Sequence, residues 1–315
     1  MTNVTKNLKD LTSPQLQDLP DEIILKIFAF LRRKDLLHVA QVSKRTSVIS
    51  QDYSLWHCVS FKKKKVSTVC LQQVINRKCK ILGLQFAKVE DTLNLRCHSE
   101  LKQLEISNCQ ANDGVLEELI RSCQYLEKIV AKNLTITSEM LRKICEQNGR
   151  TLQLLNIGCS VLPSYSIELI VSNCIRLTSL NLFDVKISAS EVNHLMNFLN
   201  PNIEKLAFGL GDVVKDSHVE TLVKRFNKII HLGINSGRIS DLTITHIVQY
   251  FKGSLMKLHL QAEDISCAKL HDLKSMQRLE YLSCLRLRYH GRKSEEIKRL
   301  HDLLTNVKRI HIILM

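Results

Sequence analysis

The chain has 315 residues, 44% of them hydrophobic, and carries 45 basic against 31 acidic residues for a formal net charge of +14. Such content belongs to a folded globular chain, and no apolar run approaches the roughly 18 residues needed to cross a bilayer, so no membrane partner is expected. A field of this sign favours nucleic acid, an anionic surface, or an acidic or phosphorylated peptide, and charge alone does not choose among them.

Residues 1–17 are polar and read as a loose tail. They lack the apolar core of a secretory signal, which sets the expected location in the cytoplasm or the nucleus. The chain then runs Leu19-Pro-Asp-Glu-Ile-Ile-Leu-Lys-Ile-Phe-Ala-Phe-Leu31. Pro20 suits the first turn of a helix, and the acids behind it suit the helix's positive end. Ile23, Ile24, Ile27, Phe28 and Leu31 follow at helical spacing. A second helix is expected at about 34–41, with Leu36, Leu37 and Val39, and a third from about 43, leading to Ser54-Leu-Trp56. Three short helices carry more apolar positions than so small a unit can bury, and the surplus face asks for a partner. The junction holds Lys62-Lys-Lys-Lys65. That run reads as a solvated loop, with a nuclear-import or anionic-surface patch as the other reading. No proline- or glycine-rich linker follows, so a rigid joint is expected.

Beyond the junction one phrase recurs. L-x-x-L-x-I at Leu101/Leu104/Ile106 returns at Leu126/Ile129/Ala131, Leu152/Leu155/Ile157, Leu177/Leu180/Leu182 and Ile203/Leu206/Phe208. It continues at Ile229/Leu232/Ile234, Leu255/Leu258/Leu260, Leu282/Leu285/Leu287 and Val307/Ile310/Ile312, in steps of 25 to 27 residues. Trp56/Val59/Phe61 and Ile81/Leu84/Phe86 read as earlier copies. The last two apolar residues of each copy sit two apart and share one face of a short strand. Between copies lie amphipathic stretches such as residues 114–122, where Leu116, Leu119 and Ile120 share a face. A strand and a helix cannot bury their apolar sides alone, so copies stack into a leucine-rich-repeat solenoid. The fold class is therefore α/β: three N-terminal helices, then a curved parallel sheet with outer helices. Cys79, Cys123 and Cys174 precede the phrase, and Cys109 and Cys159 end it, as in the cysteine-containing subclass of such repeats. With no C-x-x-C pair among the 11 cysteines, they read as small buried packing groups, and no metal or cofactor is expected.

Leu19-Pro20-x-Glu22-Ile23-x-x-x-Ile27-Phe28-x-x-Leu31, then Asp35-Leu36, Val42, Lys44-Arg45 and Leu55-Trp56, resembles an F-box. Followed by the solenoid, it makes the chain similar to the F-box/leucine-rich-repeat family over residues 18–315. The resemblance implies a tail at 1–17, an F-box at 18–58 and a solenoid of about ten to eleven repeats at 59–315. It also implies a substrate receptor of a Skp–cullin–F-box (SCF) E3 ubiquitin ligase. In that family the F-box docks on the Skp adaptor, and through it on the cullin and RING subunits, while the solenoid holds a target for ubiquitination and proteasomal degradation. The adaptor-facing positions implied here are Leu19, Pro20, Ile24, Phe28, Leu31, Asp35 and Leu36. The chain departs from the family pattern at Ser43 and Thr46, where Cys and Trp are usual.

Strand alternation assigns a concave face. From Lys205 onward that face reads Lys205, Ala207, Gly209, His231, Gly233, Asn235, Lys257, His259, Gln261, Cys284, Arg286, Arg288, Arg309 and His311, without an acid. His290, Arg292 and Lys293 adjoin it. The expected substrate-binding residues are Lys257, His259, Arg286, Arg288 and Arg309, with Phe183 as an apolar anchor beside Leu154. Arginine suits carboxylate or phosphate, so the expected target carries an acidic or phosphorylated degron. The alternative is a non-ligase scaffold or a nucleic-acid-binding solenoid, against which stands the shortage of aromatic side chains on this face. Gly209-Leu-Gly211-Asp lacks the third glycine of a dinucleotide loop and reads as a turn. No H-E-x-x-H, Walker or G-x-S-x-G motif occurs, so a non-catalytic protein is expected.

Overall fold

Pro20, backed by Asp21 and Glu22 in the first turn, starts helix α1 (Asp21–Ala29). Helices α2 (Arg33–Val39) and α3 (Lys44–Ser50) follow. The structure is a computed structural model that describes residues 15–90, 99–287, 289 and 293–314. Ser43 opens α3 with a capping box: its Oγ accepts the Thr46 N–H at 3.1 Å while Thr46 Oγ1 accepts the Ser43 N–H at 3.1 Å. Thr46 therefore caps the helix, and it is buried. Arg45 ties α3 back to the start of α1, donating to the Leu19 carbonyl at 2.6 Å and to Asp21 Oδ1 at 2.8 Å. Ile24, Phe28, Leu36 and Ile49 fill the space between the three helices.

A 3-10 turn, Tyr53–Trp56, leads into the solenoid. Trp56 is buried and donates its indole N–H to the Ser50 carbonyl at 2.7 Å. Arg77 lies over the indole ring at 4.1 Å, and Arg33 of α2 donates to the Cys58 carbonyl at 2.8 Å. The helical unit and the first repeat thus share a packed aromatic residue, and the joint has no free linker.

The strands are β1 (Cys58–Ser60), β2 (Lys65–Ser67), β3 (Ile81–Gly83), β4 (Lys88–Glu90), β5 (Gln103–Glu105), β6 (Lys128–Val130) and β7 (Leu154–Asn156). They continue with β8 (Ser179–Phe183), β9 (Lys205–Gly209), β10 (His231–Asn235), β11 (Lys257–Gln261), β12 (Tyr281–Leu287) and β13 (Arg309–Leu314). Eleven of these form one parallel sheet in chain order, and β2 and β4 pair separately. The outer layer is α4 (Thr68–Asn76), α5 (Asp113–Arg121), α6 (Ser138–Asn148), α7 (Ser166–Asn173), α8 (Ala189–Phe198), α9 (Asp216–Arg225), α10 (Asp241–Phe251) and α11 (Lys293–Leu303). Asn112, Thr137, Ser188 and Ser240 each cap the helix that follows, accepting a backbone N–H from its first turn.

After the strands the chain turns by the same device six times. Lys63, Phe86, Asn108, Asn133, Cys159 and Asp184 all have φ between 53° and 59°. Each donates its N–H to a carbonyl of the next repeat, at Gln85, Ser107, Lys132, Gly158, Phe183 and Gly209 respectively, over 2.8–3.1 Å. Asn and Asp tolerate this left-handed region well, so three of the six sites match the need. At Gly209 the requirement is absolute: φ is 106°, and a Cβ would lie 2.3 Å from the Asn235 carbonyl oxygen.

The register corrects the expected repeat frame in two places. Leu82 pairs with both Val59 and Leu104, so the copy is Cys79/Leu82/Leu84; Ile81 is half-exposed and Phe86 exposed. Leu282 pairs with Leu258 and Cys284 with Leu260, so the later copy is Leu279/Leu282/Cys284. Cys284 is thereby a core residue, and Tyr281 and Ser283 take the concave positions assigned to Cys284 and Arg286. In both copies a cysteine holds a core position that leucine or isoleucine holds elsewhere, and a neighbouring Leu, Ile or Phe imitates the pattern out of frame.

Candidate functional site

Parallel pairing in register stacks side chains into rows across the concave face. One row runs Lys128, Leu154, Ser179, Lys205, His231, Lys257, Tyr281 and Arg309. The next runs Val130, Asn156, Asn181, Ala207, Gly233, His259, Ser283 and His311. Where the second row narrows to Ala207 and Gly233 the surface is hollow. The Phe183 ring crosses both intervening strands above that hollow and meets the His259 ring at 4.8 Å, inclined at 59°. Only small residues permit this: a Cβ on Gly233 would lie 2.9 Å from the Ala207 Cβ and 3.7 Å from Phe183 Cδ2.

The result is a cleft of about 420 Å3 whose walls include Leu154, Phe183, Lys205, His231, Lys257 and His259. Desolvation first, then Lys257 and Lys205, push the His231 imidazole down to about 4, so it is neutral at pH 7. Burial also lowers His259, with Asp184 opposing and His311 adding to the shift. The His231 imidazole is therefore a polar, uncharged group between the Lys205 and Lys257 positions of its row. Burial drives the thiols of Cys79, Cys109 and Cys267 up to about 11, which keeps them protonated at neutral pH. Among the described residues no His, Cys, Asp or Glu cluster is placed to hold a metal ion.

The structure divides the expected substrate-binding set. Phe183, Lys257 and His259 converge on the cleft. Arg309 sits beside Tyr281 in the cationic row, one strand beyond the cleft wall. Arg286 does not join them. It follows the register shift at Leu285 with φ 61°, and it lines a different cleft with Asp184, Asp212 and Glu263. Its expected neighbours were basic; its actual ones are acids at the C-terminal ends of the strands. Arg288, His290 and Arg292 lie outside the described residues, as do residues 1–14 of the tail. Lys205 and His231 were visible on the inferred concave face but not singled out. Their signal was the spacing that puts them in line with Lys257.

The adaptor-facing set divides as well. Pro20 is exposed, and Leu19, Leu31 and Asp35 are half-buried. Asp35 is paired with Arg32 Nε at 2.8 Å, and this hydrogen bond holds its carboxyl below the usual range. Ile24 and Phe28 are only 1% exposed and Leu36 is fully buried, so these three are the small unit's own core. The surplus apolar surface is elsewhere: Ile23 and Ile27 on α1, then Phe30, Leu37, Val42 and Val48, of which Phe30 is 91% exposed.

This stretch matches the F-box-like family model over residues 16–62. The chain joins an F-box to a leucine-rich-repeat solenoid. An internalin crystal structure from Listeria monocytogenes str. 4b F2365 is similar at a TM-score of 0.42 and 15% identity, covering 89% of this chain and 74% of that one. The solenoid itself rests on the strand register above. The F-box-like match spans α1 to α3, Trp56 and β1, and so includes the Arg33–Cys58 contact at the joint, while Arg77, which covers Trp56, lies beyond it.

Proposed function

We propose that the chain is the substrate receptor of an SCF-type ubiquitin ligase, acting in the cytoplasm or nucleus. Residues 18–58 would dock on a Skp-type adaptor, and residues 59–315 would hold the target. The observation that carries this reading is the row of uncovered apolar side chains on a segment that matches the F-box-like model. An exposed patch of this kind costs solubility unless a partner covers it. Ile23, Ile27 and Phe30 recur at helical spacing along one side of α1, a form suited to burial against helices of another chain.

On this reading the receptor performs no bond chemistry. It raises the local concentration of a target beside the transferring subunits, and the Trp56 joint keeps the reach between adaptor and target constant. The concave cleft is the target side. Its lysines favour an acidic or phosphorylated degron, and the Phe183–His259 pair offers an apolar platform. A double substitution, Ile27→Asp with Leu37→Asp, is expected to abolish co-purification with a co-expressed Skp adaptor while the circular dichroism spectrum stays that of the parent. Undiminished recovery of the adaptor with that variant removes this reading.

A further inference from the structure

Asn-Gly occurs once in the chain, at Asn148-Gly149, and the step falls at the buried end of α6. In a flexible peptide this is where asparagine is least durable. The backbone nitrogen of the glycine attacks the asparagine Cγ and a new C–N bond forms. The side-chain nitrogen leaves as ammonia, taking the proton of the attacking N–H, and a succinimide ring remains. Water then adds to one of the two ring carbonyl carbons, the C–N bond there breaks, and the product is aspartate or isoaspartate. Glycine favours the attack because no Cβ crowds its nitrogen.

The fold fixes both residues, each for its own reason. Asn148 is fully buried and ties its repeat to the one before: its Oδ1 accepts the Leu126 N–H at 2.8 Å, and its Nδ2 donates to the Cys123 carbonyl at 3.1 Å. Cys123 and Leu126 are themselves fully buried, so their backbone groups need one side chain that brings an acceptor and a donor together. Gly149 sits where the next repeat comes close, and a Cβ there would lie 2.4 Å from the Asn173 carbonyl oxygen. Packing on both sides thus imposes the labile step. The same contacts shield it. The carboxamide is held at both ends, the Gly149 N–H donates to the Cys145 carbonyl at 2.9 Å, and Gly149 keeps helical angles of φ −57° and ψ −29°. Ring closure requires that nitrogen to turn from Cys145 onto the Asn148 Cγ, so the end of α6 must open first.

The products do not suit the site. Ionised aspartate keeps the acceptor, but it has no N–H for the Cys123 carbonyl and it buries a charge. Isoaspartate lengthens the backbone by one carbon and takes it out of helical geometry. Stability in stacked repeats is a sum over neighbouring contacts, so the damage falls on the junction between the repeats of α5 and α6.

We propose that Asn148-Gly149 is a modification site exposed only when this junction opens, and that deamidation there leaves a covalent record in chains that have been unfolded. The assignment is independent of the receptor reading. The full-length chain is held in mildly alkaline buffer with a reductant, one portion native and one in guanidinium chloride above its unfolding midpoint. Trypsin releases residues 144–150 as one peptide, and chromatography with mass spectrometry separates its asparagine, aspartate and isoaspartate forms. Conversion in denaturant is expected to outrun native conversion by at least about tenfold, because the native rate is limited by the fraction of time the end of α6 is open. After removal of denaturant, chains converted at this position should unfold at a lower guanidinium concentration than equally treated chains that kept asparagine. Asn148→Asp should show the same lowered midpoint; if that variant does not fold, the converted and unconverted fractions of the parent still decide. Equal conversion in both portions, no conversion in denaturant, or a converted chain with the parent's midpoint each overturns the assignment.

Discussion

Ile27 and Phe28 are adjacent in α1, yet the first is 39% exposed and the second 1%. The contrast makes them a matched pair of probes. Phe28→Ala should cost about 3–5 kcal/mol, because it empties the centre of a three-helix core. Ile27→Asp should leave the melting temperature nearly unchanged and act on the adaptor alone. Similar losses of stability for both would contradict the burial described. Asn148 offers a second probe at this scale. It is fully buried, its carboxamide accepting the Leu126 N–H at 2.8 Å and donating to the Cys123 carbonyl at 3.1 Å. Asn148→Ala strands both backbone groups, so the urea midpoint should fall by an amount worth about 1–3 kcal/mol per group. His231 supplies a pH signature. Its folded value of about 4 lies below the roughly 6.5 of an unfolded chain. Between those values the unfolded chain binds a proton that the folded chain does not, so the contribution is complete above about pH 6.5 and is lost as pH falls toward 4. The melting temperature should drop from pH 7 to pH 5, and His231→Gln should shrink that drop; an identical profile for the variant would rule out the coupling.

At the scale of elements, the solenoid was legible because its phrase is enforced by geometry: two core residues per strand, spaced two apart, in nearly every copy. The frame failed where a cysteine took a core place, at Cys79 and Cys284, because a nearby Leu, Ile or Phe completed a competing phrase. The second slip carried Arg286 onto the concave face on paper, whereas the β12 irregularity sends it among acids. The F-box helices were legible as helices but not as to which side faces inward. Ile23/Ile27 and Ile24/Phe28 are both apolar pairs four apart, so periodicity marks two stripes and only packing against α2 and α3 chooses between them. Trp56 links one element to another. With Thr46 committed to capping α3, the matched segment's only tryptophan is buried at the joint under Arg77. Arg77→Ala should therefore lower stability by about 0.5–2 kcal/mol in chemical denaturation, and no shift would mean that the stacked cation contributes nothing.

Across the whole molecule, the charge of +14 is not spread evenly in its effect. Part of the basic complement is cancelled in surface pairs that are worth little individually, such as Lys102 with Glu127 and Lys308 with Glu280. The lysines around the central cleft are distinguished by convergence, which follows from parallel strands in register. The solenoid has an apolar, uncovered F-box surface at one end and a cationic cleft on its concave face, with a packed joint between them. The most direct test of this account is co-expression of the full-length chain with a Skp-type adaptor, followed by size exclusion with light scattering. The account predicts a stable one-to-one complex whose formation covers the α1 apolar face and relieves self-association. A chain that stays monomeric and soluble and ignores the adaptor would contradict it, leaving the three helices as a cap on the first repeat.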